Sequence, residues 1–279
     1  MLKRLSTLFL LHPERYRVQR IGCVLRHLST RGLSYSLLGA AALVALIFLL
    51  PLVDAMPESF LAARIAAYAL VLVPISLLLH GFFVAAGGYA TSRLLALGAV
   101  SAALGHSTAF LVSPEDLEDG SGVLVLLALC VANLSRILAA GCVGIALARY
   151  ITSVGVLLII VFAAVASDLF SVFAGPTRVL EQEDSPVLDG LLLIFPTFGS
   201  ALGFGLGVSD FIFLALFVAA SRFLDLRYAA TLLGVCFAAF LAVTAGLLLQ
   251  RPLPALPFIA VAFVLVNADL IVTSLVKRR

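Results

Sequence analysis

Stretches of about 20 apolar residues, enough for a helix to cross the hydrocarbon of a bilayer, recur along this chain with only short polar punctuation. They fall at 33–53, 61–86 and 94–112, and again at roughly 205–220, 228–249 and 253–276. In lipid a backbone must satisfy its own hydrogen bonds, so such runs are expected to fold as helices packed on one another. Hydrophobic residues make up 63% of the 279, charged residues only 12%, and the mean hydropathy is +1.18. The predicted class is an all-α polytopic membrane protein whose surroundings are the lipid bilayer. Apart from the N-terminal arm, neither a soluble domain nor an internal repeat is expected, and nucleic acid is not an expected partner.

Charge placement says more than net charge. Seven of the 18 Lys and Arg lie in 1–31 against one acid, Glu14, which reads as a cytoplasmic arm. Its apolar run at 8–11 is too short for a signal-peptide core, so no cleaved targeting segment is expected. Within the arm Val18, Ile21, Leu25 and Leu28 recur at helical spacing beside Arg17, Arg20, Arg26 and Arg31. An interfacial helix on an anionic leaflet and a mobile basic tail both fit that pattern. Asp54, Glu58 and the acidic loop "SPEDLEDG" opposite Arg93 fit an N-in start. The four cysteines, at 23, 130, 142 and 236, show no CxxC spacing and read as small packing residues, so neither a disulfide framework nor a zinc site is expected, and no other metal site is expected either. His80 and His106 read as hydrogen-bonded packing residues, and Arg64 as a side chain that snorkels from a helix end.

Residues 121–175 run on with no clear loop and divide either into two long helices or three short ones. The polar stretch "GPTRVLEQEDSPVLDG" follows, then "LLLIFP", a run of strand rather than helix length. The chain is therefore read as an arm (1–32), a first set of membrane helices (33–175), a polar loop with a short strand (176–197) and a second set of helices (198–279).

Two carboxylates stand inside the apolar runs. Asp168 lies in "AVASDLFSVF", about two turns before the polar loop, and Asp210 in "GFGLGVSDFIF", just inside the next span. An acid at membrane depth costs a few kcal/mol and is kept where it pairs, lines a wet cavity or does chemistry. Antiparallel neighbours joined by that one loop would bring both acids to similar depth. Two such groups a few ångströms apart cannot both ionise cheaply, so they share a proton. One can then take a proton from an attacking water while the other donates to an amide carbonyl oxygen. The glycines at 203, 205 and 207 would let a substrate strand come close, although glycine-rich faces also serve plain helix packing. In "RPLPALPFIA", Pro252, Pro254 and Pro257 predict an irregular start to the last span, tolerated where protein or a wet cavity surrounds it.

The Asp of "SDLFSVF", the glycine-rich approach to "DFIF" and the "PAL" heading the last span together resemble the presenilin and signal peptide peptidase family of intramembrane aspartyl proteases. In that family Tyr-Asp, Gly-x-Gly-Asp and Pro-Ala-Leu occur in this order on the sixth, seventh and ninth membrane helices. The resemblance covers about 151–262. Pro254, Ala255 and Leu256 match outright, Ser167 stands in the place of the tyrosine, and Ser209 in that of the second glycine. It implies a presenilin-like bundle of eight or nine transmembrane helices in a prokaryotic cytoplasmic membrane, hydrolysing transmembrane peptide substrates without a cofactor. By that similarity Asp168 and Asp210 are the catalytic dyad, Gly207 and Ser209 flank it, and Pro254–Leu256 form a loop beside it. Leu191, Leu192 and Leu193 of "LLLIFP" would pair as a strand with an extended substrate; a loop strand with no ligand is the plainer expectation.

Rival functions stay open on the sequence alone. A proton- or ion-coupled transporter could line a path with Asp168, Asp210, Asn267 and Asp269. A catalytically inactive homologue would share the motifs, and a prepilin-peptidase-like enzyme would share the second aspartate but not "PAL". Asp269 has no role in proteolysis and is expected to pair with a buried polar neighbour such as Arg136 or to lie near a helix end. The resemblance implies nine helices with the C-terminus outside, which requires three in 121–175 and is the count expected here; the positive-inside rule prefers "KRR" inside, which requires eight.

Overall fold

The computed structural model describes residues 31–46, 61–86, 89–109, 123–175, 192–195, 204–249 and 253–276. The interfacial helix or tail considered for the N-terminal arm lies outside them. The described chain is mostly helical. It comprises α1 (Arg31–Leu46), α2 (Leu61–Ala86), α3 (Thr91–Ala109), α4 (Val123–Ala148) and α5 (Val154–Phe173). Strands β1 (Leu192–Phe195) and β2 (Phe204–Gly207) follow, then α6 (Val208–Phe223), α7 (Tyr228–Leu249) and α8 (Leu256–Val276). Four of the eight helices, α4, α5, α7 and α8, are long and apolar enough to cross a membrane.

The described residues 123–175 form two helices, not the three that a nine-helix architecture needs there. The reason is local. Polar residues interrupt this stretch effectively once, where Arg149 and Tyr150 close α4 in a turn and Ser153 caps α5, its hydroxyl accepting the Val156 N–H at 3.3 Å. A serine cap satisfies one of the orphan donors of a helix start.

Close backbone approach sets the helix pairs. A β-carbon on Gly39 would lie 2.8 Å from the Pro74 carbonyl oxygen, and one on Gly32 2.6 Å from the Ala85 nitrogen, so α1 runs antiparallel along α2 with almost no side chain between them. Small residues permit such contact where lipid gives helices no hydrophobic reason to associate. In the same way Gly98 faces Cys142 and Gly105 faces Ala132, which makes α3 and α4 antiparallel. Arg149 donates to Thr91 at 3.1 Å where α4 ends and α3 begins.

α6 is the central element. It packs on α4, α7 and α8, and is buried continuously from Leu214 to Ser221. Gly144 lets the α4 backbone meet it, since a β-carbon there would fall 2.5 Å from the Ile212 carbonyl oxygen. Phe217 of α6 stacks on Phe263 of α8 with ring centroids 5.1 Å apart. α5 lies outside this core. It packs on α8 through Val154, Leu157, Val161 and Ala164, a single stripe at helical spacing, while Ile159, Phe162 and Phe170 are exposed.

At the end of the bundle formed by the α6–α7 turn, Asp225 takes a left-handed conformation (φ 55°) that aspartate tolerates better than most residues. The guanidinium of Arg222 lies over the rings of Phe83 and Tyr228, and His80 is hydrogen-bonded to the Tyr228 hydroxyl at 2.9 Å. His80 thus is a hydrogen-bonded packing residue between α2 and α7.

Candidate active site

Asp168 occupies the next position on the α5 stripe after Ala164, so the pattern that buries α5 against α8 also aims this carboxylate at the start of α8. There the chain is irregular, as its prolines predict. Leu253–Ala255 are non-helical, Pro254, Ala255 and Leu256 are buried, and the helix begins at Leu256. The Ala255 carbonyl accepts the first intrahelical bond, from Ile259. The N–H of Leu256 has no partner within its own helix, and it donates to Oδ2 of Asp168 at 3.0 Å.

Asp210 is the third residue of α6. Its Oδ2 accepts the N–H of Gly207 at 3.1 Å, the reach-back half of a capping box. Gly207 is both the last residue of β2 and the N-cap of α6, and it pairs with Leu192 in an antiparallel ladder that also joins Leu193 to Leu206. The strand therefore fixes the donor that orients the acid. A β-carbon on Gly207 would stand 3.1 Å from Asp210 Oδ2 and 3.2 Å from Ser209 Oγ, so glycine keeps this space for the carboxylate. Ser209 is exposed and Asp210 is only 8% exposed.

The two acids lie close enough for the charge of Asp168 to act on Asp210. Each is tethered by a backbone N–H in the first turn or cap of a helix, where the partial positive charge of the helix end favours an anion. Asp210 is buried and Asp168 partly open. The pair is thus two carboxyls in unequal surroundings, each held by one donor.

The structure brings Asp168, Asp210, Gly207, Ser209 and the Pro254–Leu256 segment to one end of the bundle, with Leu192 and Leu193 in β1 beside them; Leu191 lies outside the described residues. Three expectations are corrected. α5 and α6 do not pack along each other: α5 is seated on α8, because its only buried stripe faces that helix. The glycine-rich segment expected as the start of a span near 205 is strand β2 as far as Gly207, so β1 pairs within the chain through a ladder that alternating glycines allow. Asp269 does not pair with Arg136. It meets Arg227 at 2.7 Å, both side chains at least half exposed, because antiparallel packing of α7 and α8 places it beside the α6–α7 turn.

The positioning donors, the N–H groups of Gly207 and Leu256, were not legible as such. The Gly-x-x-Asp spacing of an N-cap and its N3 residue is the one signal that points to the first; nothing local points to the second, whose partner is 88 positions away. Among the described residues no group of three or more His, Cys, Asp or Glu could hold a metal ion. Comparison of the chain with family models, with curated proteins and with solved structures returns no match.

Proposed function

We propose that this protein is an intramembrane aspartyl protease of the presenilin-like kind, embedded as a multi-pass protein in a prokaryotic cytoplasmic membrane. Its substrates are transmembrane peptides. The observation that carries this is that Asp168, held by the first N–H of α8, and Asp210, held by the N-cap of α6, stand at the same end of the bundle, each with one carboxylate oxygen tethered by a backbone N–H and the two within range of each other's charge. Two carboxyls carrying one proton between them can activate a water and protonate a carbonyl oxygen in the same step, forming the tetrahedral diol. Collapse of that intermediate returns a proton to the leaving amine. In this reading the oxygen of the partly exposed Asp168 that Leu256 does not engage holds the water.

The surroundings of Asp269 weigh against the transport alternative. Arg227 donates to Asp269, to the Val266 carbonyl and, through its backbone N–H, to Asn267 Oδ1; Asn267 Nδ2 donates to Thr231 and the Phe263 carbonyl. Two of the four polar residues of a supposed path are engaged in a clamp, eleven and more positions along α8 from Leu256. The test is direct. Asp168→Asn and Asp210→Asn each keep an acceptor oxygen for their tether and remove the proton chemistry. Both variants are expected to express and melt like the parent while cleaving no transmembrane reporter peptide. Cleavage by either one rejects the dyad.

A further inference from the structure

The helix directions gather charge at opposite ends of the bundle. α2, α4, α6 and α8 finish, and α1, α3, α5 and α7 begin, at the end remote from the dyad. Gly32 lies against Ala85, Arg149 against Thr91, Tyr228 against His80 and Arg227 against Asp269, whereas Asp168 meets Leu256 and Asp210 opens α6 at the other end. The remote end carries Arg31, Arg93, Arg149, Arg222 and Arg227. The chain continuing from it adds the other six basic residues of 1–31 and the three of 277–279, making fourteen of the 18 Lys and Arg against Glu14, Asp225 and Asp269.

The dyad end is the reverse. Its connecting sequences hold two acids in 47–60, four in 110–122 and four in 176–191, which with Asp168 and Asp210 make twelve of the 15 Asp and Glu. The sequences joining those helix ends contain Arg178 and Arg251, Arg64 stands in the first turn of α2, and Arg136 lies mid-helix. Lys and Arg near span ends set orientation, and their excess stays in the cytoplasm. Lys3 and Arg4 are far from α1, but the other twelve lie near helix ends, and twelve against three makes the remote end the cytoplasmic one on that rule.

We infer that the Asp168–Asp210 end faces away from the cytoplasm, with both chain ends inside, and that the enzyme cuts single-span peptides near their outer end. The position of the cut rests on the protease function proposed above; the side does not. A peptide that crosses the membrane offers this site the outer turns of its helix, next to an aqueous phase that supplies the hydrolytic water. The cytoplasmic half of the same peptide lies at the level of the Arg227–Asp269 clamp.

Side and chemistry are separable by experiment. In the full chain carrying Cys23→Ser, Cys130, Cys142 and Cys236 remain and are buried. Single cysteines are introduced by Ala174→Cys at the dyad end and Tyr150→Cys at the remote end, both exposed. A membrane-impermeant maleimide applied to intact cells is expected to label the first and to spare the second until the membrane is opened, and a fluorescent protein fused after Arg279 is expected to fluoresce. The reverse labelling, or an active alkaline phosphatase at Arg279, overturns the assignment whether or not the protein cleaves anything. For the cut, a single-span reporter with its N-terminus inside is expected to give a product whose mass places the break in its outer half. A break in the inner half overturns that claim, and no break from any reporter with the labelling as expected rejects the protease function while leaving the side established.

Discussion

Replacing Leu256 by proline removes one hydrogen from the site, the N–H that donates to Asp168 at 3.0 Å. Position 256 is the first of α8, where proline's fixed φ suits a helix and the missing donor breaks no intrahelical bond. The preceding residue, Ala255, is already non-helical, as a residue before proline prefers. The lost interaction is a hydrogen bond to a carboxylate, worth about 1.5–3 kcal/mol. At a factor of ten per about 1.4 kcal/mol, its loss corresponds to roughly a ten- to hundred-fold slower chemical step if the bond holds Asp168 for catalysis. The side chain is the confounding change, since Leu256 is 4% exposed. Leu256→Ala is the comparator: it loses at least as much packing, about 2–5 kcal/mol of stability for a buried leucine, but keeps the N–H. Cleavage of a transmembrane reporter is measured at saturating substrate, with melting followed by a thiol-reactive dye reporting exposure of the buried cysteines. Proline is expected to be at least ten times slower than alanine at comparable folded fraction. Equal rates refute the idea that this donor orients the acid.

A side chain at Gly144 has no room against α6, with the Ala215 β-carbon 2.7 Å away as well as the Ile212 oxygen, so Gly144→Ala should cost about 1–3 kcal/mol of stability through overpacking. Gly155→Ala meets nothing nearer than 4.0 Å and should melt at or slightly above the parent temperature. Ser209→Gly clears an exposed hydroxyl from beside Gly207 and should raise the cleavage rate or widen the residues accepted at the cut, with stability lowered by about 1 kcal/mol or less for a glycine in the first helical turn; unchanged rate and specificity would mean that no peptide passes there. Asn267→Ala strands the fully buried Thr231 hydroxyl and takes the acceptor from the part-buried Arg227 N–H, and should cost about 1–3 kcal/mol, whereas Asp269→Asn breaks an exposed pair worth under about 1 kcal/mol; comparable melting shifts would contradict the buried clamp.

The helices at 61–86 and 228–249 were readable to the residue because sharp polar signals bound these long apolar runs and leave little choice of structure. "LLLIFP" was readable as a strand for the converse reason: a run so short cannot span. Its partner was not, because alternating glycines carry no side-chain pattern by which a strand is recognised, and Phe204–Gly207 passes for a flexible approach to Asp210. Asp168 and Asp210 stood out through the cost of a carboxylate among apolar residues. What holds them did not, since a backbone N–H is present at nearly every residue and only the fold says which ones are free. The seating of α5 on α8 was equally hidden: Val154, Leu157, Val161 and Ala164 mark a buried face but say nothing of which helix covers it.

That seating divides the site mechanically. Asp210 belongs to a helix buried continuously from Leu214 to Ser221, whereas Asp168 is carried by a helix fastened along one stripe to α8 and bare to its surroundings elsewhere. Segments with few buried contacts open at lower free energy than the core. α5 should therefore exchange its amide hydrogens before α6 does, and an ill-fitting detergent or a thin bilayer should extinguish activity at temperatures where the rest of the bundle still reads as folded. For the protease proposed here, the temperature at which cleavage stops measures the hold of α8 on α5, and the melting temperature measures something else.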